Sequence, residues 1–256
     1  MDALEIFQRY RAERRHQPYV GLTLERLPQL SRYVANIDGA AGFVAFADLL
    51  PDDCANMIDE QIAHFQRIGQ AFEWKVYDYD SPPTLKKLLE ERGFKSGNEE
   101  AFLVYDSTHS LPRTLKPSAV RIEKITDVRQ LPDYLAAEQS IWPEERASRL
   151  EQYTRQLSEA PDGMSMYCGY VDGRPVATGR VSFFAGSSFA ELNGGGVVSR
   201  LRGQGIFSAM LARRIEEART RGFKWVAVDA APMSRPILLR KGFQHVCWTY
   251  PMLHGP

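Results

Sequence analysis

Residues 197–207 read Val-Val-Ser-Arg-Leu-Arg-Gly-Gln-Gly-Ile-Phe. Gly203 and Gly205 let backbone amides approach a ligand with no Cβ in the way. An amphipathic helix pattern begins near Gly205, so its free N–H groups and positive dipole end point at the same spot. Arg200 and Arg202 add positive charge. A pyrophosphate is the natural occupant of such a cradle. Two other phosphate-binding patterns fail here. A dinucleotide fingerprint needs a third glycine at position 208, which is Ser208, and a P-loop needs Lys and Ser/Thr where Ile206 and Phe207 stand.

The elements around the cradle follow from periodicity. Ala119–Ile125 alternates as a strand, and 127–160 is helical in pattern with a break near Trp142-Pro143. Ser165–Val171 and Pro175–Phe184 are strands joined by the hairpin signal Asp172-Gly173, and Phe189–Ser199 reads as a third. In the helix Gly205–Arg221, the residues Ile206, Phe207, Met210, Leu211, Ile215 and Ala218 share one face, and Gly222 ends it. Arg213-Arg214 and Glu216-Glu217 read as its solvated face. A buried strand Lys224–Ala230, a short helix Pro232–Lys241 and a last strand Phe243–Met252 complete an α/β (α+β) arrangement with a mixed sheet.

The first half ends in the same way. At a fixed offset of 149, Asp80–Phe94 falls on Asp229–Phe243 with five of 15 positions identical: Asp80/Asp229, Pro83/Pro232, Leu89/Leu238, Gly93/Gly242 and Phe94/Phe243. Asp53–Gly69 repeats the amphipathic helix and Phe72–Tyr79 the strand after it. An internal duplication is the expectation. The first copy has no cradle: Pro51-Asp52-Asp53-Cys54-Ala55 stands where the glycines would be. Asp52 and Asp53 are expected to cap that helix and to repel a phosphate.

The 256 residues carry 32 basic and 32 acidic side chains. This excludes a generally basic nucleic-acid coat, but the balance is uneven. Residues 1–110 hold 12 Lys/Arg against 18 Asp/Glu, and 111–256 hold 20 against 14. The basic half is the one with the cradle, so a polyanion is steered toward it. Cys54, Cys168 and Cys247 form no CxxC or Cys/His cluster, so neither a metal site nor a disulfide framework is expected, and each reads as a buried small apolar residue. The five histidines show no spacing pattern. The charged N-terminus has no signal-like apolar core, and no run reaches the roughly 18 apolar residues of a membrane span. A cytoplasmic protein that binds neither membrane nor nucleic acid is expected.

Arg200-Leu201-Arg202-Gly203-Gln204-Gly205 matches [QR]-x-x-G-x-[GA] at its three fixed positions. In this the chain resembles the GCN5-related N-acetyltransferase (GNAT) superfamily. The resemblance covers about 119–252 in element order, and 43–106 looks like a degenerate copy. It implies two GNAT-like units in tandem: a degenerate domain at 1–107, a linker at 108–118, and an acetyl-CoA-binding catalytic domain at 119–256. It also implies a sheet splayed between the third meander strand and Lys224–Ala230. Backbone groups of Val197 and Val198 would hold the pantetheine arm like an added strand. Arg200, Arg202, Gly203, Gln204, Gly205 and Ile206 would hold the pyrophosphate.

The family reaction is direct attack of an amine on the acetyl thioester. The amine must shed a proton, and Glu191 is the candidate base. It lies six residues before Val197, so strict alternation puts both on one face unless Gly194-Gly195-Gly196 forms a bulge. A solvated or ion-paired carboxylate is the competing reading. The N–H of Val198 or a neighbour is the candidate oxyanion donor. The tyrosine the family often uses to protonate the leaving thiolate is Leu238 here, which leaves Tyr250, Ser234 or solvent. Trp142, Tyr153, Tyr167 and Tyr170 are candidate lining for the acceptor pocket, against a plain packing role. The expected acceptor is a small-molecule amine, and the protein a monomer or homodimer. The alternative is a non-catalytic acyl-CoA sensor or interaction module.

Overall fold

The computed structural model describes residues 1–37, 39–110, 120–143 and 149–256. In chain order the elements are α1 (Ala3–Arg14), β1 (Leu22–Arg26), β2 (Ser31–Ala35), β3 (Gly42–Ala45), α2 (Cys54–Arg67), β4 (Phe72–Tyr77), α3 (Leu85–Glu91), β5 (Lys95–Ser96), β6 (Glu100–Asp106), β7 (Arg121–Ile125), α4 (Leu131–Ile141), α5 (Leu150–Glu159), β8 (Met164–Val171), β9 (Arg174–Phe183), β10 (Phe189–Val197), α6 (Ile206–Thr220), β11 (Trp225–Ala230), α7 (Arg235–Arg240) and β12 (Gln244–His254). The fold is mixed α/β. Among the described residues no helix is long and apolar enough to cross a membrane.

The chain packs as two compact units that are not consecutive halves. The first comprises Met1–Leu103, Asp229–Leu239 and Gln244–Pro256; the second comprises Val104–Val228 and Arg240–Phe243. The expected second domain at 119–256 therefore gives up most of its last 28 residues to the first unit. The reason is strand pairing: β12 runs antiparallel to β4, from Thr249↔Tyr77 to His254↔Phe72. Residues 111–118 of the expected linker, and Ala119 at the start of the expected strand, lie outside the described residues.

In the first unit, β1, β2 and β3 form an antiparallel meander, β3 lies parallel to β4, and β4 pairs with β12. Trp74, Phe72 and Val76 of β4 alternate into a core with Ile58 and Phe65 of α2, Leu85 and Leu89 of α3, and Met252 of β12. The expected capping of α2 by its aspartates differs from what is found. Asp53 makes no side-chain cap, and instead accepts a hydrogen bond from Gln29 Nε2 at 3.2 Å. The repeat survives in local geometry. Leu89 and Leu238 are both buried, Gly93 and Gly242 both end their helices in the left-handed region (φ +88° and +91°), and Phe94 and Phe243 are both buried. A left-handed residue after a helix favours glycine, which explains both Gly-Phe endings.

In the second unit, β7, β8, β9 and β10 are successive antiparallel neighbours, and β10 lies parallel to the start of β11. The hairpin at Asp172-Gly173 has both residues at positive φ (+50° and +74°), the mirror-image turn that strand twist favours. Helix α4 ends at Ile141, just before the expected break, and α5 begins at Leu150. Tyr134, Ala137 and Tyr153 from these helices pack with Met166, Cys168 and Tyr170 of β8. All three cysteines of the chain are buried and free.

Candidate active site

The cradle forms where the sequence pattern puts it. A single 3-10 turn, Ser199–Leu201, follows β10; Arg202 is extended, and Gly203 (φ +75°) and Gly205 (φ +85°) are both left-handed. Side chains resist that conformation by about 1–2 kcal/mol, so two glycines here keep the loop unstrained. A Cβ on Gly203 would meet nothing within 4 Å. It is the backbone turn, not crowding, that demands glycine there. Gly205 is the N-cap of α6 and has no side chain to cap it; the first intrahelical bond is Ala209 N–H to the Gly205 carbonyl at 3.0 Å. The N–H groups of Ile206, Phe207 and Ser208 thus have no acceptor four residues back and face the loop side. Arg200, Arg202, Gly203 and Gln204 are exposed, and Ile206 anchors the helix start in the core. This donor set fits a pyrophosphate.

β10 opens away from β11. The two pair only at Phe189↔Trp225, Ala190↔Val226 and Glu191↔Ala227, yet β10 continues to Val197. The pairing with β9 decides which groups face the gap. The Val198 N–H donates to the Val176 carbonyl at 2.9 Å. It is spent inside the sheet, which removes it as the oxyanion donor. Since Val197 pairs with Ala177, antiparallel alternation turns the Val197 N–H and C=O away from β9. Arg202 Nε donates to that Val197 carbonyl at 3.2 Å, tying the cradle to the strand edge.

The glycine triplet does bulge. Asn193 pairs with Arg180 and Gly196 with Thr178, so β10 spends one residue more than β9. Gly194 takes φ +53°, and Thr178 Oγ1 donates to its carbonyl at 3.0 Å. The extra residue reverses the parity. Glu191 and Val197 therefore point to opposite faces, not the same one.

Each glycine also makes room for a large side chain. A Cβ on Gly194 would lie 2.6–2.7 Å from the Arg180 guanidinium, one on Gly195 3.0 Å from a guanidinium nitrogen of Arg214, and one on Gly196 2.6 Å from Ile141 and 2.9 Å from Trp142. Arg180 lies on the α4 face. Its Nη1 donates to Glu138 Oε1 at 2.7 Å and to the Tyr153 hydroxyl, and that hydroxyl donates to Glu138 at 2.8 Å. Arg149 Nη1 lies 3.4 Å from the same carboxylate oxygen. Burial acts to lower the Arg180 pKa, but Tyr134, Tyr153 and Glu138 more than offset it and raise it. Glu191, Ser182 and Asn193 share this face by register.

Arg214 lies on the α6 face and corrects the reading of it as solvated: it is 2% exposed. It sits one turn after Met210, on the helix stripe already recognised as apolar. Gly179 and Gly195 leave the space it fills. Glu217 departs from that reading too, accepting from Lys124 Nζ and Ser165 Oγ at 2.8 Å and from the Tyr167 hydroxyl.

The four aromatic candidates do not converge. Tyr153 and Tyr170 belong to the core under α4, and the Tyr170 hydroxyl donates to Asp133 at 3.2 Å. Tyr167 points to the α6 side, bound to Glu217. Trp142 alone of the four remains half-exposed, covering Gly196. Tyr250 belongs to the first unit, on β12, with Lys86 Nζ 4.4 Å from its ring centre. Burial, then Asp78 and Glu99, push its hydroxyl up to about 12. Ser234 in that unit donates to the Ala231 carbonyl at 3.1 Å, and Leu238 is buried. The Arg180–Glu138 network escaped the sequence reading. Its one signal was the i, i+4 spacing of Tyr134 and Glu138 on α4.

Comparison with known proteins agrees with this fold. Residues 130–236 match the model of the acetyltransferase (GNAT) family. No curated protein matches the chain. Among solved structures, a GCN5-related N-acetyltransferase from Kribbella flavida is similar with a TM-score of 0.68 and 16% identity, over 99% of this chain and 94% of that one. A functionally unknown conserved protein from Staphylococcus epidermidis is similar at 0.67 and 15%, over 93% and 95%. A tandem GNAT protein from the clavulanic acid biosynthesis pathway is similar at 0.59 and 14%, over 93% and 85%. At such identities the likeness is one of fold. The chain thus carries a domain of the acetyltransferase (GNAT) family over residues 130–236, within a fold shared along most of its length with a tandem GNAT protein.

Proposed function

We propose that the protein transfers an acetyl group from acetyl-CoA to a small-molecule amine. The observation that carries this is the pair of left-handed glycines at an uncapped helix start, directly beyond a strand that has parted from its neighbour. Acetyl-CoA supplies the activated acyl group. Amides from Gly203 to Ile206, with Arg200 and Arg202, bind its pyrophosphate. The free edge of β10 at Val197 takes the pantetheine arm by backbone pairing. The Val197 N–H, rather than that of Val198, donates to the oxygen on which negative charge develops. Glu191 accepts the proton of the incoming ammonium on the α4 face. With leucine at the usual tyrosine position, the sulfur departs as thiolate and is protonated by water. The first unit, with Asp52-Asp53 at the start of α2, holds no cofactor.

The test is calorimetric titration with acetyl-CoA, followed by thiol release over a panel of amines. Binding near one equivalent with amine-dependent thiol release supports the reading. Absence of binding overturns it. Leu238 in place of the tyrosine favours one second reading, a non-catalytic acyl-CoA sensor, and tight binding with no thiol release from any amine selects it.

A further inference from the structure

Two buried guanidiniums bracket the bulge of β10, and only one is neutralised. Arg180, below Gly194, has the Glu138 carboxylate at 2.7 Å. Arg214, on the other side at Gly195, donates to two backbone carbonyls, Arg180 O at 3.2 Å and Met210 O at 3.3 Å. Besides burial, Tyr134, Arg180 and Tyr167 act most on its charge, and among the described residues no carboxylate forms an ion pair with it. Burial accordingly pulls its pKa down to about 10. It still carries its charge at neutral pH.

A buried cation without a counter-ion is costly, and a methionine or leucine would fill the same space at no such cost. The chain nonetheless makes room for it twice. A Cβ on Gly179 would lie 2.9 Å from Arg214 Nε, and one on Gly195 3.0 Å from its terminal nitrogen. The charge lies under the stretch of β10 between Glu191 and Val197, where the β11 pairing is missing. In the proposed transfer the amine nitrogen bonds to the carbonyl carbon and the carbon–sulfur bond breaks. The electron pair leaves on sulfur; the ammonium's first proton passes to Glu191 and then to water, and the second, shed by nitrogen as the amide forms, reaches the thiolate through water. Negative charge therefore appears on the thioester's oxygen and sulfur, with no side-chain acid at position 238 to quench it.

Resting on the acyl-transfer reading above, we infer that Arg214 is a positioning residue of that reaction. It braces the Gly194–Gly195 bulge from the α6 face and, acting through that backbone, makes the free edge of β10 electropositive where the thioester's negative charge develops.

The test uses CoA itself as probe and needs no turnover. The thiol of CoA bound to the wild-type protein is titrated by its ultraviolet thiolate absorbance and compared with that of free CoA measured in the same way. The expected result is a bound-thiol pKa lower by about one unit, a tenfold larger thiolate fraction below the titration. R214M is expected to abolish the shift and R214K to retain most of it. In turnover, R214M is expected to lower kcat about tenfold while the KM for acetyl-CoA stays within about threefold. Circular dichroism and thermal melts check both variants, and R214Q replaces R214M should that protein not fold. A bound thiol no more acidic than free CoA in the wild type overturns the inference without any variant, as does an unchanged shift in R214M. Failure of CoA to bind at all overturns the acyl-transfer reading and this inference with it. Binding with an unshifted thiol overturns this inference alone.

Discussion

Glu191 and Val197, six residues apart on one strand, point to opposite faces of the sheet. Glu191 pairs with Ser182 and Val197 with Ala177, five residues apart on β9, and an odd separation reverses the face. The extra residue at Gly194 is the cause. The consequence is a division of labour. The candidate base looks toward α4, while the backbone edge at Val197 looks into the gap beside it. An amine and a thioester can then meet at the strand from different directions.

Removing the carboxylate tests this arrangement. Glu191→Gln is expected to lower kcat about 10²- to 10⁴-fold, the usual worth of a general base. It should leave acetyl-CoA affinity unchanged. Steady-state kinetics at saturating acetyl-CoA, with calorimetry for the affinity, measure it. An unaltered kcat would show that Glu191 is not the base.

The cradle makes a separate prediction. Gly203→Val forces a branched side chain into φ +75°. The backbone strain alone is about 1–2 kcal/mol, relieved by turning the loop amides away from the phosphates. Acetyl-CoA affinity should fall at least about tenfold by calorimetry, with far-UV circular dichroism unchanged. Retained affinity would place the pyrophosphate elsewhere.

The Arg180–Glu138 pair is a stability prediction. Glu138→Leu strands a buried guanidinium and should cost about 3–5 kcal/mol in urea unfolding. The double change Glu138→Leu with Arg180→Met removes both charges and should cost less than the single change. Strict additivity of the two single changes would refute the coupling.

Asp80 and Glu217 give pH dependences of opposite sign. Burial raises the Asp80 carboxyl to about 7, against 3.8 for a free side chain, although the Tyr77 N–H and Arg11 pull the other way. Between those values the native state keeps a proton that the unfolded chain releases, so this contribution is full below the lower value and lost as pH rises through the upper. Asp80→Asn should therefore gain thermal stability over the wild type on going from pH 5 to pH 8, a window spanning about 7. Burial acts upward on Glu217 as well, but hydrogen bonds from Lys124, Tyr167 and Ser165 outweigh it and hold it down to about 2. Its contribution is present above the ordinary carboxylate range and lost on acidification toward that value. Glu217→Gln should be less stable than the wild type at pH 7 and approach it near pH 3, around the carboxylate range. Parallel melting curves in either comparison would contradict the assignment.

The cradle was legible because it is local. Two glycines, a helix stripe and flanking arginines lie within a dozen residues, and backbone conformation there depends on residue type alone. The strand and helix succession of the second unit, and the Gly-Phe endings of both units, were legible for the same reason. Arg214 and Glu217 were not. Their positions on α6 read as solvent-facing by type, and only Gly179 and Gly195, from two other strands, make Arg214 a buried residue.

The sequence by itself determined the family motif, the turn that needs left-handed glycines, and the asymmetry of charge between the halves. Tertiary structure decided the rest. Register with β9 took the Val198 amide and turned that of Val197 outward. One added residue at Gly194 set Glu191 and Val197 on opposite faces. Pairing of β12 with β4 assigned the chain's end to the first unit. Each of these depends on which strand lies alongside, and hydrogen bonding between residues far apart in the chain leaves no mark in the local pattern of residue types.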